Sequence, residues 1–256
     1  MNKIRVSTVK YANSYPMNWG LVHGPVSSLI EIGFDHPAGI AARLTAGAAD
    51  IGLVPVAAIP SLQNPVIIGN YCVGTRGRVR TVMLFSNSTI EDIETVWLDH
   101  RSVTSVNLAR VLARYHWKKE FRWMNPGREF DYSLIGKKEG IVIIGDQCFG
   151  MENRFDHGYD LAHEWNIMTG LPFAFACWVA VNKPDKEFVK TFNKSLELGL
   201  QNKEAAVAEM NRLKYPEAGD IIEYLTTNID YPYDEPKKKA LELFMEYMKS
   251  LNPILI

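Results

Sequence analysis

The stretch Val66-Ile-Ile-Gly-Asn-Tyr-Cys72-Val-Gly-Thr-Arg-Gly-Arg-Val-Arg80-Thr-Val-Met-Leu-Phe85 sets the architecture. Val66–Tyr71 and Thr81–Phe85 are strand-sized apolar runs, and the Val-Gly-Thr-Arg-Gly-Arg between them is loop-like. Such a junction reads as a crossing from one lobe to another. A second crossing is needed on the return, and Gly170–Phe175, with Gly170 and Pro172 ahead of an apolar run, is the place for it. The expected division is a discontinuous first lobe, residues 1–75 plus 176–256, and a continuous second lobe, residues 76–175. Two lobes joined by two crossover strands leave a central cleft, and clefts between domains are where small ligands bind.

Working outward, short β-branched runs alternate with helix-period segments through the first 180 residues, the pattern of βαβ units around mainly parallel sheets. The fold class is therefore α/β. Further strands are expected at Ile4–Val9, Ile51–Val54, Val96–Leu98, Ile141–Ile144 and Ala174–Val181, and helices at Gly39–Ala48, Thr104–His116 and Tyr159–Met168. After Pro184 the apolar spacing becomes three and four residues, over Lys186–Asn202, Lys203–Lys214 and Glu235–Leu251. Helices without intervening strands have no sheet of their own, so they must cover the α/β part, and their aromatics are read as core rather than dimer contact. Monomer and homodimer both stay open.

Composition narrows the function. With 28 basic and 29 acidic side chains in 256 residues the net charge is −1, which offers no field for nucleic acid or an anionic membrane. Lys118-Lys119 and Lys237-Lys238-Lys239 lie in amphipathic segments and read as solvated faces. Cys72, Cys148 and Cys177 are odd in number and far apart, which suits reduced, buried thiols rather than a metal or disulfide framework. The start, MNKIRVSTVKYANSYP, has no apolar stretch of signal-peptide length, so a cytoplasmic location is expected. The longest apolar run, Phe173 to Val181, is too short for a membrane span.

Four places offer chemistry. Tyr11-Ala12-Asn13-Ser14-Tyr15-Pro16 joins a strand to an apolar segment, and such junctions present free backbone N–H groups to anions. Asn13 or Ser14 is a ligand group there, or merely a helix cap ahead of Pro16. Leu98-Asp99-His100-Arg101-Ser102-Val103-Thr104-Ser105 ends a strand and opens a helix, so Thr104 and Ser105 have the same two readings. If Asn13 and Thr104-Ser105 face each other from different lobes, a small dianion is held at both ends. In the third place, Arg78 to Asn87, Thr81 stands at the entry and Ser86 at the exit of a strand, while Arg78 and Arg80 read as exposed edge residues. Asp146 ends the buried run Ile143-Ile144-Gly145, as a ligand or as a turn cap.

Sharper motifs are missing. Gly20, Gly24 and Gly33 lack dinucleotide spacing, there is no GxxxxGK[ST] loop and no G-x-S-x-G elbow. The histidines at 23, 36, 100, 116, 157 and 163 form no HExxH. Neither a cofactor nor a metal is expected.

In their order, Tyr11-x-Asn13-x-x-Pro16-x-x-Trp-Gly-Leu, Gly-x-x-Asp50-Ile-Gly-Leu-Val-Pro55-Val-Ala, Val-Arg80-Thr-Val-x-Leu-Phe-Ser86, Thr104-Ser105-Val-x-Leu-Ala-Arg110 and Ile-Ile-Gly145-Asp146 resemble the chorismate dehydratases of menaquinone biosynthesis. The resemblance runs over most of residues 4–181. It implies a type II periplasmic-binding-protein-like fold and a hydro-lyase of the futalosine route that turns chorismate into 3-[(1-carboxyvinyl)oxy]benzoate. It matches Asn13 to the family's Tyr-x-Asn asparagine and Thr81, Ser86, Thr104 and Ser105 to its cleft hydroxyls. Asn13 and Ser86 are therefore expected as catalytic groups, with Tyr11, Ser14, Pro55, Thr81, Thr104, Ser105 and Asp146 as substrate contacts. The choice between Thr81 and Ser86 as the critical hydroxyl stays open. None of these motifs holds an obvious general base, which suggests that the substrate's enolpyruvyl carboxylate takes the C3 proton. The competing readings are a solute-binding protein for a small organic anion and the sibling 1,4-dihydroxy-6-naphthoate synthase, whose Ser-Pro-x-x-Asn-Asp-type start is replaced here by Lys10-Tyr11-Ala12-Asn13.

Overall fold

A computed structural model describes residues 3–98, 102–125, 131, 134–210 and 221–251. In chain order its first elements are β1 (Ile4–Thr8), α1 (Tyr15–His23), β2 (Ile30–Phe34), α2 (Pro37–Thr45), β3 (Ile51–Pro55), β4 (Val66–Thr75), β5 (Val82–Ser86), β6 (Thr95–Leu98) and α3 (Val103–Leu112). There follow β7 (Arg122–Met124), β8 (Glu139–Ile144), β9 (His157–Asp160), α4 (Leu161–Thr169), β10 (Phe173–Ala180), α5 (Lys186–Gln201), α6 (Lys203–Met210), α7 (Ile221–Thr227) and α8 (Glu235–Lys249). These elements divide into two compact units. The first takes residues 3–74, 174–210 and 221–235, and the second takes the described residues of 75–173 and 236–251.

The first unit is built on a five-stranded sheet of order β2-β1-β3-β10-β4. Its middle strands read as continuous apolar runs, Ile51 to Pro55 and Phe173 to Ala180, because both of their faces are covered. β1 is parallel to β2 and β3, whereas β10 returns antiparallel to β3, pairing Trp178 with Leu53. The open edge of β4 is blunted by residues 230–233: Cys72 donates its N–H to the Tyr231 carbonyl at 2.7 Å and Tyr233 donates to that of Asn70 at 2.8 Å. On one face α5 packs against α1 at very short range. A Cβ on Gly20 would stand 2.0 Å from the Ser195 carbonyl oxygen and one on Gly199 would stand 1.8 Å from that of Pro16, so the crossing needs glycine on both helices.

The second unit has the order β7-β6-β8-β5-β9. β6 is parallel to β7 and β8, and β5 is antiparallel to both β8 and β9. Both sheets are thus mixed rather than mainly parallel, since a chain that returns through β10, or reaches β5 from the far end, must run against its neighbour. Tyr159 and Asp160, expected in a helix, belong to β9. The helix starts after them because the Asp160 carboxylate caps it, accepting the Ala162 and His163 N–H groups at 3.1 and 3.2 Å. A second correction concerns α8, expected in the first lobe. Beyond Glu235 it belongs to the second unit, where Phe244 sets its ring edge-on to Trp165 and Phe173 and Tyr247 stacks on Tyr115 at 4.3 Å. Cys72, Cys148 and Cys177 are buried free thiols. Among the described residues no helix is long and apolar enough to cross a membrane.

Candidate functional site

In the first unit the candidate residues meet at the carboxyl edge of β1 and β3. β1 ends at Thr8, Tyr11 is extended, a tight turn runs over Ala12–Ser14, and Pro16 sits in the first turn of α1. A buried polar relay fixes this turn. The Ser14 hydroxyl points at the carbonyls of Val9 at 2.9 Å and Tyr11 at 2.7 Å, and accepts the Asn18 side-chain N–H at 3.1 Å. Asn18 also donates to the Val9 carbonyl at 2.8 Å and accepts from Thr8 Oγ1 at 2.9 Å. Ser14, expected to be a ligand group or a cap, is completely buried, and its hydroxyl serves the turn.

Asn13 differs. The buried Tyr231 phenol donates to its backbone carbonyl at 3.0 Å, and among the described residues the Asn13 carboxamide makes no hydrogen bond. Burial pushes the Tyr231 phenol well above its ordinary range, so it remains a donor. The turn is therefore held from both sides while one amide is left half-exposed and available. Pro55 ends β3, parallel to β1 and next to it, and so lies on the same sheet edge. Tyr11 lines a depression of about 350 Å³ with Val9, Lys10, Phe34, Asp35 and His36. There the Lys10 ammonium lies 5.0 Å over the Phe34 ring and Asp35 pairs with Arg43 at 3.2 Å.

In the second unit, register decides which candidates share an edge. β5 pairs Val82 with Ile144, so Thr81 stands beside Gly145, whose N–H donates to the Thr81 carbonyl at 2.8 Å. β6 runs parallel to β8, so its Leu98 end lies at that same edge. Thr81, Asp146, Thr104 and Ser105 thus collect at one edge of the sheet, all buried. Gly145 turns the chain there with φ of 66°, which a residue with a Cβ rarely adopts. The cap of α3 is Ser102, whose hydroxyl donates to Ser105 Oγ at 2.7 Å and accepts the Ser105 N–H at 3.3 Å. Ser105 therefore helps to close the helix start, and Thr104 lies inside the first turn. Asp99, His100 and Arg101 lie outside the described residues.

Ser86 is not with them. It occupies the opposite end of β5, across from Gly140 and His157. Its hydroxyl donates to the Glu139 carbonyl at 2.9 Å and accepts the Ser88 N–H at 3.0 Å, which makes it the cap of a turn. Ser86 thus stands apart from the catalytic position expected of it beside Thr81 and Asp146: five positions along an extended strand carry a side chain roughly 16 Å away.

The sequence also hid Asp160. From the end of β9 its Oδ2 accepts the N–H groups of Val79 at 2.8 Å and Arg80 at 2.7 Å, while its Oδ1 caps α4. One buried carboxylate thus pins the residues that precede Thr81. Burial pushes its pKa above the ordinary range, against the pull of these N–H donors. Its only sequence signal is an acidic residue directly ahead of the apolar helix start at Leu161.

Comparison with known proteins adds sequence relatives to this geometry. A family profile described as menaquinone biosynthesis matches residues 4–250. The chorismate dehydratase of Thermus thermophilus is 27% identical over 220 residues, which span 77% of this chain and 79% of that one. A crystal structure of an Archaeoglobus fulgidus protein aligns with TM-score 0.73 at 14% identity, covering 97% of each chain. A Candida albicans protein described as having the generic periplasmic binding protein fold aligns with TM-score 0.63 at 12% identity, covering 99% of this chain and 92% of that one. The fold here is of that α/β kind.

Proposed function

This chain belongs to the menaquinone-biosynthesis family, and on that premise we propose that it is a chorismate dehydratase, a carbon–oxygen hydro-lyase that releases water and 3-[(1-carboxyvinyl)oxy]benzoate. The observation that carries the proposal is the reach of the family match over residues 4–250, which includes every candidate group of both units. In the reaction the C3–H and C4–O bonds of chorismate break. The C–H electron pair becomes the third ring double bond, and the hydroxyl departs with a proton as water. Aromatisation supplies the driving force, so the chain's tasks are to hold a dianion in one conformation and to help the hydroxyl leave.

The Asn13 carboxamide is assigned to the substrate, because its backbone is clamped and its side chain has no competing bond. Thr81 takes the hydroxyl role in place of Ser86, since it shares an edge with Thr104, Ser105 and Asp146. The C3 proton goes to the enolpyruvyl carboxylate of the substrate itself, folded over the ring. The test is incubation of purified protein with chorismate, with prephenate as control, followed by chromatography and mass spectrometry. Formation of the aromatic enol ether from chorismate alone is expected. Tight binding of chorismate without any product would replace the dehydratase by a solute-binding protein.

A further inference from the structure

Three described non-glycine residues have a left-handed backbone: Asn64, Arg80 and Lys118. Asn64 is of a type that tolerates it, and Lys118 ends the helical turn Ala113–Trp117, a usual place for it. Arg80, with φ of 62°, follows no helix and begins no hairpin. It is held there by the two N–H bonds of residues 79 and 80 to buried Asp160. Strain of this kind persists where the surroundings over-determine it and is concentrated at working sites.

The clamp settles where the guanidinium goes. Arg80 stands one residue before Thr81, just ahead of β5, and its guanidinium lies over the Phe149 ring at 5.8 Å. Its charged partner is Glu152, at 3.7 Å, too far for a hydrogen bond, with both side chains partly open to solvent. Among the described residues no acceptor takes a guanidinium hydrogen, although the group presents five donors in a planar fork suited to carboxylate. Arg76 and Arg78 nearby are exposed, whereas Arg80 is half-buried. The chain has a net charge of −1, so a dianion must find its cation locally.

We propose that Arg80 binds one carboxylate of the substrate with its guanidinium fork, displacing Glu152, and thereby selects a dianion over a monoanion. The proposal rests on the dehydratase reading for the identity of that substrate. Asp160 acts through Arg80 and Thr81 as a positioning residue.

The deciding variant is Arg80→Gly, because glycine accepts the left-handed backbone and removes only the side chain. Its thermal midpoint should equal or exceed that of the parent, while KM for chorismate rises about tenfold or more and kcat changes by less than about threefold. Arg80→Lys should recover part of the loss in KM, with the charge but without the fork. The monomethyl ester of chorismate at the bound carboxylate should be handled alike by parent and Arg80→Gly. A folded Arg80→Gly protein with unchanged KM overturns the proposal, and so does an equal penalty on both substrates. Titration calorimetry with chorismate separates the two claims. If the parent binds chorismate without turning it over, the dehydratase reading fails, and a tenfold weaker affinity in Arg80→Gly still supports the Arg80 assignment. If affinity is the same in both, Arg80 fails whatever the catalysis.

Discussion

At the residue scale, neighbours with similar side chains have opposite duties. Ser14 and Ser86 spend their hydroxyls on main-chain groups at short range, whereas Asn13 keeps its carboxamide and Thr81, whose hydroxyl reaches the Val79 carbonyl at 3.4 Å, lies on the edge that gathers the other hydroxyls. Losing a buried acceptor or donor costs about 1–3 kcal/mol, and losing a polar group that stabilises developing charge costs roughly a hundredfold in rate. Ser14→Ala and Ser86→Ala should therefore lower the denaturation midpoint with kcat nearly intact. Asn13→Ala and Thr81→Ala should lower kcat about a hundredfold. Steady-state rates beside urea melts check both halves, and the reverse pattern at either pair would overturn the assignment. From the sequence, Asn13 and Ser14 were indistinguishable, for each is a short polar residue suited to a cap. What separates them is Asn18, one helical turn beyond Ser14, whose amide consumes the serine.

At the element scale, the contact between α1 and α5 is the tightest constraint in the first unit. A methyl on Gly199 would fall 1.8 Å from a main-chain oxygen of α1, and backbone cannot swing aside as a flexible side chain can. Gly199→Ala should destabilise the protein by about 3 kcal/mol or more, read from chemical denaturation, since overpacking alone typically costs about 1–3 kcal/mol. The helices themselves were legible: α5, with Phe188, Phe192 and Leu196 on its buried face, lies where three- and four-residue spacing put it. The short strands β2, β7 and β9 were not. Ile30–Phe34 and Arg122–Met124 carry too few alternations to stand out, and His157–Asp160 is a strand because β5 pairs with it.

For the whole molecule, acidity tests the balance of its ion pairs. Asp50 is held below the usual carboxylate range by its hydrogen bonds from Arg5, Glu94 by that from Lys138, and Glu209 by those from His23 and Trp19. A carboxylate lowered in the folded state stabilises above its unfolded pKa, and that contribution is lost as pH falls through the folded value. Asp160 has the opposite sign: its pKa is raised by burial, so its contribution is greatest in acid and declines as pH rises through that raised value. Asp50→Asn should thus melt slightly below the parent at about pH 7, and the gap should close towards about pH 3. A gap that widens in acid would contradict the assignment. The α/β class, the junctions between strand and helix and the order of the family motifs could all be read along the chain, because side-chain periodicity and turn chemistry are local properties. Strand register, the capture of Ser14 and Ser86 by main-chain groups, the Asp160 clamp on Arg80 and the place of α8 beside Trp165 could not. Each of these joins residues that the chain brings together only when it folds, and the energy of a hydrogen bond or a ring contact depends on that meeting.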